Sequence, residues 1–167
     1  MESYLASIEG LIGQIIRAGK FELSFSIHKG HEEPAKSEAP EFIVDFAGPD
    51  SGLLLEKNGA VLDALEHVVL KAVRLEEDLF GRITFDCQDW RRLRAEELTM
   101  IAQMAAERVR ETGEPFTMNP MTPRERRLIH LALRDQINVR TASEGRGSER
   151  RVVIHPASPP GRPPREP

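Results

Sequence analysis

Aromatic residues are scarce in this chain: tyrosine and tryptophan occur once each, and with seven phenylalanines they make up 5% of 167 residues. So few rings leave few surfaces for stacking. Cysteine occurs once, as Cys87, which excludes an intramolecular disulfide and a thiolate zinc cluster and agrees with a reducing compartment. Its expected role is that of a small apolar residue at a strand end. No stretch approaches the roughly 20 apolar residues that cross a bilayer. The start, MESYLASIEG, lacks the basic head and apolar run of a secretory signal. The chain is therefore expected in the cytoplasm, with no membrane insertion. Its 40% hydrophobic content suffices for buried cores, and its length suits one ordinary domain or two small ones.

The net charge of −4 argues against a polyanionic partner until it is divided along the chain. Residues 120–167 carry ten arginines against five acids, a local +5 that leaves −9 elsewhere. Local fields, not the total, steer a polyanion to a patch.

Apolar periodicity gives the elements. Leu5, Ile8, Ile12, Ile15 and Ile16 recur at helical spacing, with Gly19 placed to end that helix. Phe21, Leu23, Phe25 and Ile27 alternate as in a half-buried strand. Residues 29–41 read as a long exposed loop. His28, His31, Glu32 and Glu33 there lack the rigid frame a metal site requires, so no metal and no cofactor is expected. A strand at 42–48 precedes two helices broken at Glu56, Lys57 and Asn58. The second has Val61, Leu65, Val68, Val69 and Ala72 at helical spacing, and a third strand occupies 82–87.

The pattern then restarts. Asp89 is placed to cap a helix from Trp90 to about Glu111, with Leu93, Leu98, Ile101, Ala105 and Val109 as its buried line. A short strand at 116–118, a turn NPMTP, a helix begun by Pro123, and strands at 137–143 and 150–155 joined by EGRGSE complete the second unit. The fold class is α+β, with units at 1–87 and 88–156. A tail at 157–167, rich in proline, is expected to be disordered.

Two constellations carry chemistry. Single-stranded RNA is held where a short loop between two helices presents backbone amides and small residues to phosphates. The sequence EKNG at 56–59 has that position, with Lys57 as the cation and Gly59 as the small residue. In PRERRLIHLAL, Arg126 and His130 stand four apart on one helical face. Arginine offers a charged fork of donors; histidine offers hydrogen bonds or a stacking ring. His130 has a second reading, a packed ring holding helix to sheet, and both roles can coexist. Arg124 and Arg127 flank the pair, and Arg150 and Arg151 open the last strand. Trp90, beside Arg91, Arg92 and Arg94, reads either as a stacking platform or, preferably, as an anchor to the neighbouring domain.

GLLLEKNGAVLDALEHVV resembles the Gly-x-x-Gly segment of a bacterial type II K-homology domain, and PMTPRERRLIHLAL resembles the R-three-H domain. Joined by DCQDWRRLRAEEL and followed by SEGRGSERRVVIHP, they resemble the Jag/KhpB family of bacterial RNA-binding proteins over residues 1 to about 156. The resemblance implies two small two-layer α/β sandwiches in tandem. It also implies a non-enzymatic protein that binds single-stranded RNA, with single-stranded DNA as a second candidate, through Lys57, Asn58, Gly59, Arg124, Arg126, Arg127, His130, Arg150 and Arg151. Relatives act with a small K-homology partner protein, influence cell-envelope growth, and in some cases are tied to a membrane-protein insertase.

Two departures qualify this. The family's first loop glycine is Glu56 here, which sets a carboxylate where a phosphate should approach. The separate N-terminal domain of many relatives has no counterpart in this sequence, so a membrane link residing there is not expected. Two other classes compete: a protein-interaction adaptor whose K-homology-like unit has lost RNA binding, and a hydrolase using His130, Asp135 and Glu125. The second lacks a nucleophile, metal cluster or phosphate-loop lysine motif.

Overall fold

The computed structural model describes residues 1–30 and 40–157. Most of the expected 29–41 loop and nearly all of the tail lie outside the described residues. The chain folds as two compact units, Met1–Arg91 and a second beginning at Arg92.

In the first unit, helix α1 (Glu2–Gly19) buries Ile8 and Ile12, with Leu5, Ile15 and Ile16 packed around them. The left-handed residue that closes it is Lys20 (φ 54°), not Gly19. Gly19 serves another purpose, because a Cβ there would collide with the ring of Phe21. Phe21 is 41% exposed and precedes strand β1 (Ser24–Lys29). Strand β2 (Phe42–Ala47) pairs antiparallel with β1 and parallel with β3 (Ile83–Cys87). A parallel pair requires a crossover, supplied here by α2 (Ser51–Leu54), α3 (Glu56–Ala72) and a 3₁₀ turn at Glu77–Arg82. The order helix, strand, strand, helix, helix, strand is the one expected.

The phase of α3 is not. Leu62, Val69 and Leu70 are buried, whereas Val61 and Val68 are 39% and 58% exposed. The core joins Val44, Phe46, Ile83, Phe85 and Cys87 of the sheet to α1 and α3. Phe25, Phe46 and Phe85 stack in sequence across it.

In the second unit, α4 (Trp90–Thr112) buries Leu98, Ala102, Ala105, Ala106 and Val109. Leu93 and Ile101, expected on that line, are 49% and 38% exposed; alanines take the helix face closest to the sheet. Strand β4 (Phe116–Pro120), helix α5 (Pro123–Ala132), strand β5 (Val139–Glu144) and strand β6 (Arg151–Pro156) follow. The sheet is antiparallel in the order β4-β6-β5. Ile137, expected in β5, is 90% exposed and lies outside it. Val139, Val152 and Ile154 pack with Leu98, Val109, Ile129 and Leu133. Side chains alternate along a strand, so residues 139, 141 and 143 of β5 and 152 and 154 of β6 face the helices.

Candidate nucleic-acid interface

The EKNG loop is built by three consecutive left-handed residues, Lys57 (φ 52°), Asn58 (φ 59°) and Gly59 (φ 77°), before α3 resumes its normal course. For a residue with a Cβ this conformation costs about 1–2 kcal/mol, so the unit invests stability in presenting this turn. Glu56, Lys57 and Asn58 are exposed, whereas Gly59 is buried. A Cβ on Gly59 would strike the indole of Trp90. The tryptophan is therefore the floor of the loop, packed on the first core.

Its arginine neighbours are occupied. Arg91 pairs with Asp63 at 2.9 Å and Glu66 at 3.0 Å, and its Nε donates to the Phe85 carbonyl. Glu66 also accepts from the Phe85 N–H at 2.7 Å. Together they satisfy the outer edge of β3, which would otherwise offer an open ladder. Arg92 pairs with Glu96, and Arg94 with Glu97 and Glu125. Arg91 thus ties the start of α4 to α3 and β3, Arg94 ties α4 to α5, and the Arg92–Glu96 pair lies within α4. The helix start is held by Asp86, whose carboxylate accepts the Arg91 N–H at 3.1 Å. Asp89, the expected cap, adopts φ 57°.

The outward face of the first sheet carries Asp45 and Asp86 in register. One Asp45 oxygen is buried without a hydrogen-bond partner among the described residues. Burial, then the Asp86 charge, push its carboxyl above the usual range. Such a face repels a polyanion.

The second unit concentrates its polar chemistry at the start of α5. Thr122 caps the helix: its side chain accepts the Glu125 N–H, and the Glu125 carboxylate accepts the Thr122 N–H at 2.8 Å. The same carboxylate holds Arg94 at 2.9 Å. Glu125 is thus committed to structure, which removes one of the acid–base groups on which a hydrolase would depend.

Arg126 is half-buried, and its Nη1 donates to the Met121 carbonyl at 2.8 Å. The Met121 N–H in turn donates to the Arg150 carbonyl at 3.1 Å. One turn along α5, the His130 ring lies between two hydroxyls of β5. Nδ1 is 2.6 Å from Thr141 Oγ1 and Nε2 is 2.9 Å from Ser143 Oγ. Desolvation and then the Arg126 charge hold the ring below the ordinary imidazole pKa. The ring ties helix to sheet, which is the packed reading of His130, and it remains half-buried beside Arg126.

The remaining cations divide. Arg124 and Arg127 are exposed on α5, and Arg150 is exposed beside the Met121 turn. Arg151 alternates with Val152 and so faces the side of the sheet away from His130. There Glu144 and His155 approach to 3.3 Å. The structure thus brings Arg126, His130 and the Arg150 backbone together and sets Arg151 apart. Thr141 and Ser143 were missed from sequence, although their two-residue spacing within RTAS marks one strand face.

The family model of the R-three-H domain matches residues 96–156. The RNA-binding protein KhpB of Clostridium symbiosum is 35% identical over 114 residues, 68% of this chain and 51% of that protein. The KhpB proteins of Lactiplantibacillus plantarum and Bacillus subtilis are each 32% identical over 111 residues, covering 66% and 65% of this chain and 34% and 53% of theirs. The chain spans about half or less of the length of the curated relatives it matches.

Proposed function

Because the chain belongs to the Jag/KhpB family, we propose that it is a non-enzymatic binder of single-stranded RNA. The relatives are named RNA-binding protein KhpB, which supports RNA as the ligand class. The observation that carries the reading to this chain is the Arg126–His130 pair at the start of α5, beside the exposed Arg124, Arg127 and Arg150. Lys57, Asn58 and Gly59 form the second contact, in the K-homology-like unit, and Arg151 adds charge from the other sheet face. With few rings to stack on, phosphate and sugar contacts dominate, giving modest sequence preference and marked salt sensitivity. Among the described residues no helix is long and apolar enough to cross a membrane, and the protein acts in the cytoplasm without a cofactor. A small K-homology protein is its partner, and the process served is RNA chaperoning or post-transcriptional control linked to envelope growth.

The test is a titration of labelled single-stranded RNA, with single-stranded DNA beside it, at low and moderate salt. The Arg126→Ala, His130→Ala double variant should bind at least tenfold more weakly, a loss of about 1.4 kcal/mol. Equal binding by wild type and variant overturns the assignment. A second reading, the adaptor, is favoured by the exposed Glu56 carboxylate at the loop. Under the RNA reading, Glu56→Gly raises RNA affinity. Loss of a protein partner with RNA binding unchanged is the adaptor's outcome.

A further inference from the structure

The two hydroxyls that bracket His130 have not been assigned a part in binding, and the geometry of the ring determines what they do. A neutral imidazole carries one N–H donor and one acceptor nitrogen. With Thr141 Oγ1 at 2.6 Å and Ser143 Oγ at 2.9 Å, one hydroxyl must give its hydrogen to the ring. The other receives the ring N–H and keeps its own hydrogen for an outside acceptor. A protonated ring donates at both nitrogens. Both hydroxyls then accept from the ring, and both hydrogens become available to another acceptor. A phosphodiester, whose non-bridging oxygens only accept, gains a second donor in this state.

We propose that Thr141 and Ser143 are phosphate-binding residues of the α5 site, that His130 is their positioning residue, and that a bound RNA phosphate draws a proton onto the ring. The inference rests on the RNA-binding reading above. Its electrostatics follow from what faces the ring. On α5 the charged neighbour is Arg126, which opposes protonation. On β5 the helix-facing residues are Val139, Thr141 and Ser143, with Arg140 and Glu144 on the other side. On β6, Val152 and Ile154 face the helix, and Arg151 and His155 face away. From α4, Arg94 is neutralised by Glu97 and Glu125. Among the described residues no carboxylate therefore holds a proton on the ring in the free protein. A phosphate seated between Arg126 and the hydroxyls offsets the arginine's charge and supplies the missing anion. Hydroxyl contacts to phosphate are a usual part of backbone recognition.

The experiment titrates a fluorescein-labelled single-stranded uridine decamer against wild type, Thr141→Val/Ser143→Ala and Arg126→Ala from pH 8 to 5.5. The imidazole proton signals of His130 are followed by NMR in the free and bound protein. For wild type the affinity should rise several-fold as pH falls, bounded at tenfold per pH unit for one proton, and the His130 titration should move upward on binding. The double variant should lose that pH gain, while Arg126→Ala weakens binding at every pH. If wild type binds with the His130 titration unmoved, or if the hydroxyl variant keeps the gain, the inference is overturned and the RNA-binding reading stands. If the decamer is not bound at any pH, both fall. The NMR signal reports on the ring directly, so an unrelated histidine cannot imitate the result.

Discussion

Desolvation lowers the proton affinity of the His130 ring, and the Arg126 charge four residues away on α5 lowers it further. The sign of the resulting stability effect follows from linkage. The unfolded chain titrates near the ordinary imidazole value of about 6.5, whereas the folded ring titrates lower. Between those two values the unfolded state binds more protons, so stability is complete above the unfolded pKa and declines as pH falls toward the folded one. Urea unfolding at pH 7.5 and 5.5 should show wild type losing more stability than His130→Gln over that interval. An equal loss would mean that folding leaves the ring's proton affinity unchanged, and a smaller loss in wild type that folding raises it. Asp45 acts with the opposite sign in more acidic solution, because its carboxyl is raised. The comparison between wild type and variant cancels that contribution. On the proposal above, folding and RNA act in opposite directions at the same atom: folding alone disfavours the imidazolium, and a bound phosphate would favour it.

Among the elements, the EKNG turn and the first turn of α4 are interdependent, since Gly59 leaves the room that Trp90 fills. Gly59→Ala meets two penalties, a left-handed backbone with a Cβ and a displaced indole. It should destabilise the first unit by about 2–4 kcal/mol and shift Trp90 emission to the red as the ring is pushed toward water. Unchanged emission and stability would show that the loop relaxes at no cost. This dependence was only half legible in the sequence. Turn chemistry marked Gly59, and the order of helices and strands followed from periodicity. That Trp90 is the loop's floor depends on a contact between residues 31 apart, which no local pattern encodes. The same limit explains the other departures. Asp86 outcompetes Asp89 because β3 delivers its carboxylate to the Arg91 amide. The burial phase of α3 and α4 is set by where the sheet lies, so Val61, Val68, Leu93 and Ile101 share a helical spacing with the core without joining it. The Arg126–His130 pair was legible because an (i, i+4) relation is local; the hydroxyls of β5 were not, because they arrive from another element.

At the scale of the whole molecule, the two apolar clusters share no residue. Each is closed by its own sheet, and the sole tryptophan packs on the first. Ile129, fully buried under α5, belongs to the second. Truncating it removes about 2–5 kcal/mol from that cluster. Equilibrium unfolding of Ile129→Ala followed by far-ultraviolet circular dichroism should show an early transition that Trp90 fluorescence does not report, and the RNA affinity proposed for the α5 site should fall in step with it. Leu62→Ala should do the reverse, moving the fluorescence transition to lower denaturant and leaving the later part of the circular dichroism curve in place. Coincident transitions by both probes in both variants would instead establish one cooperative unit, in which the EKNG turn and the α5 site unfold together.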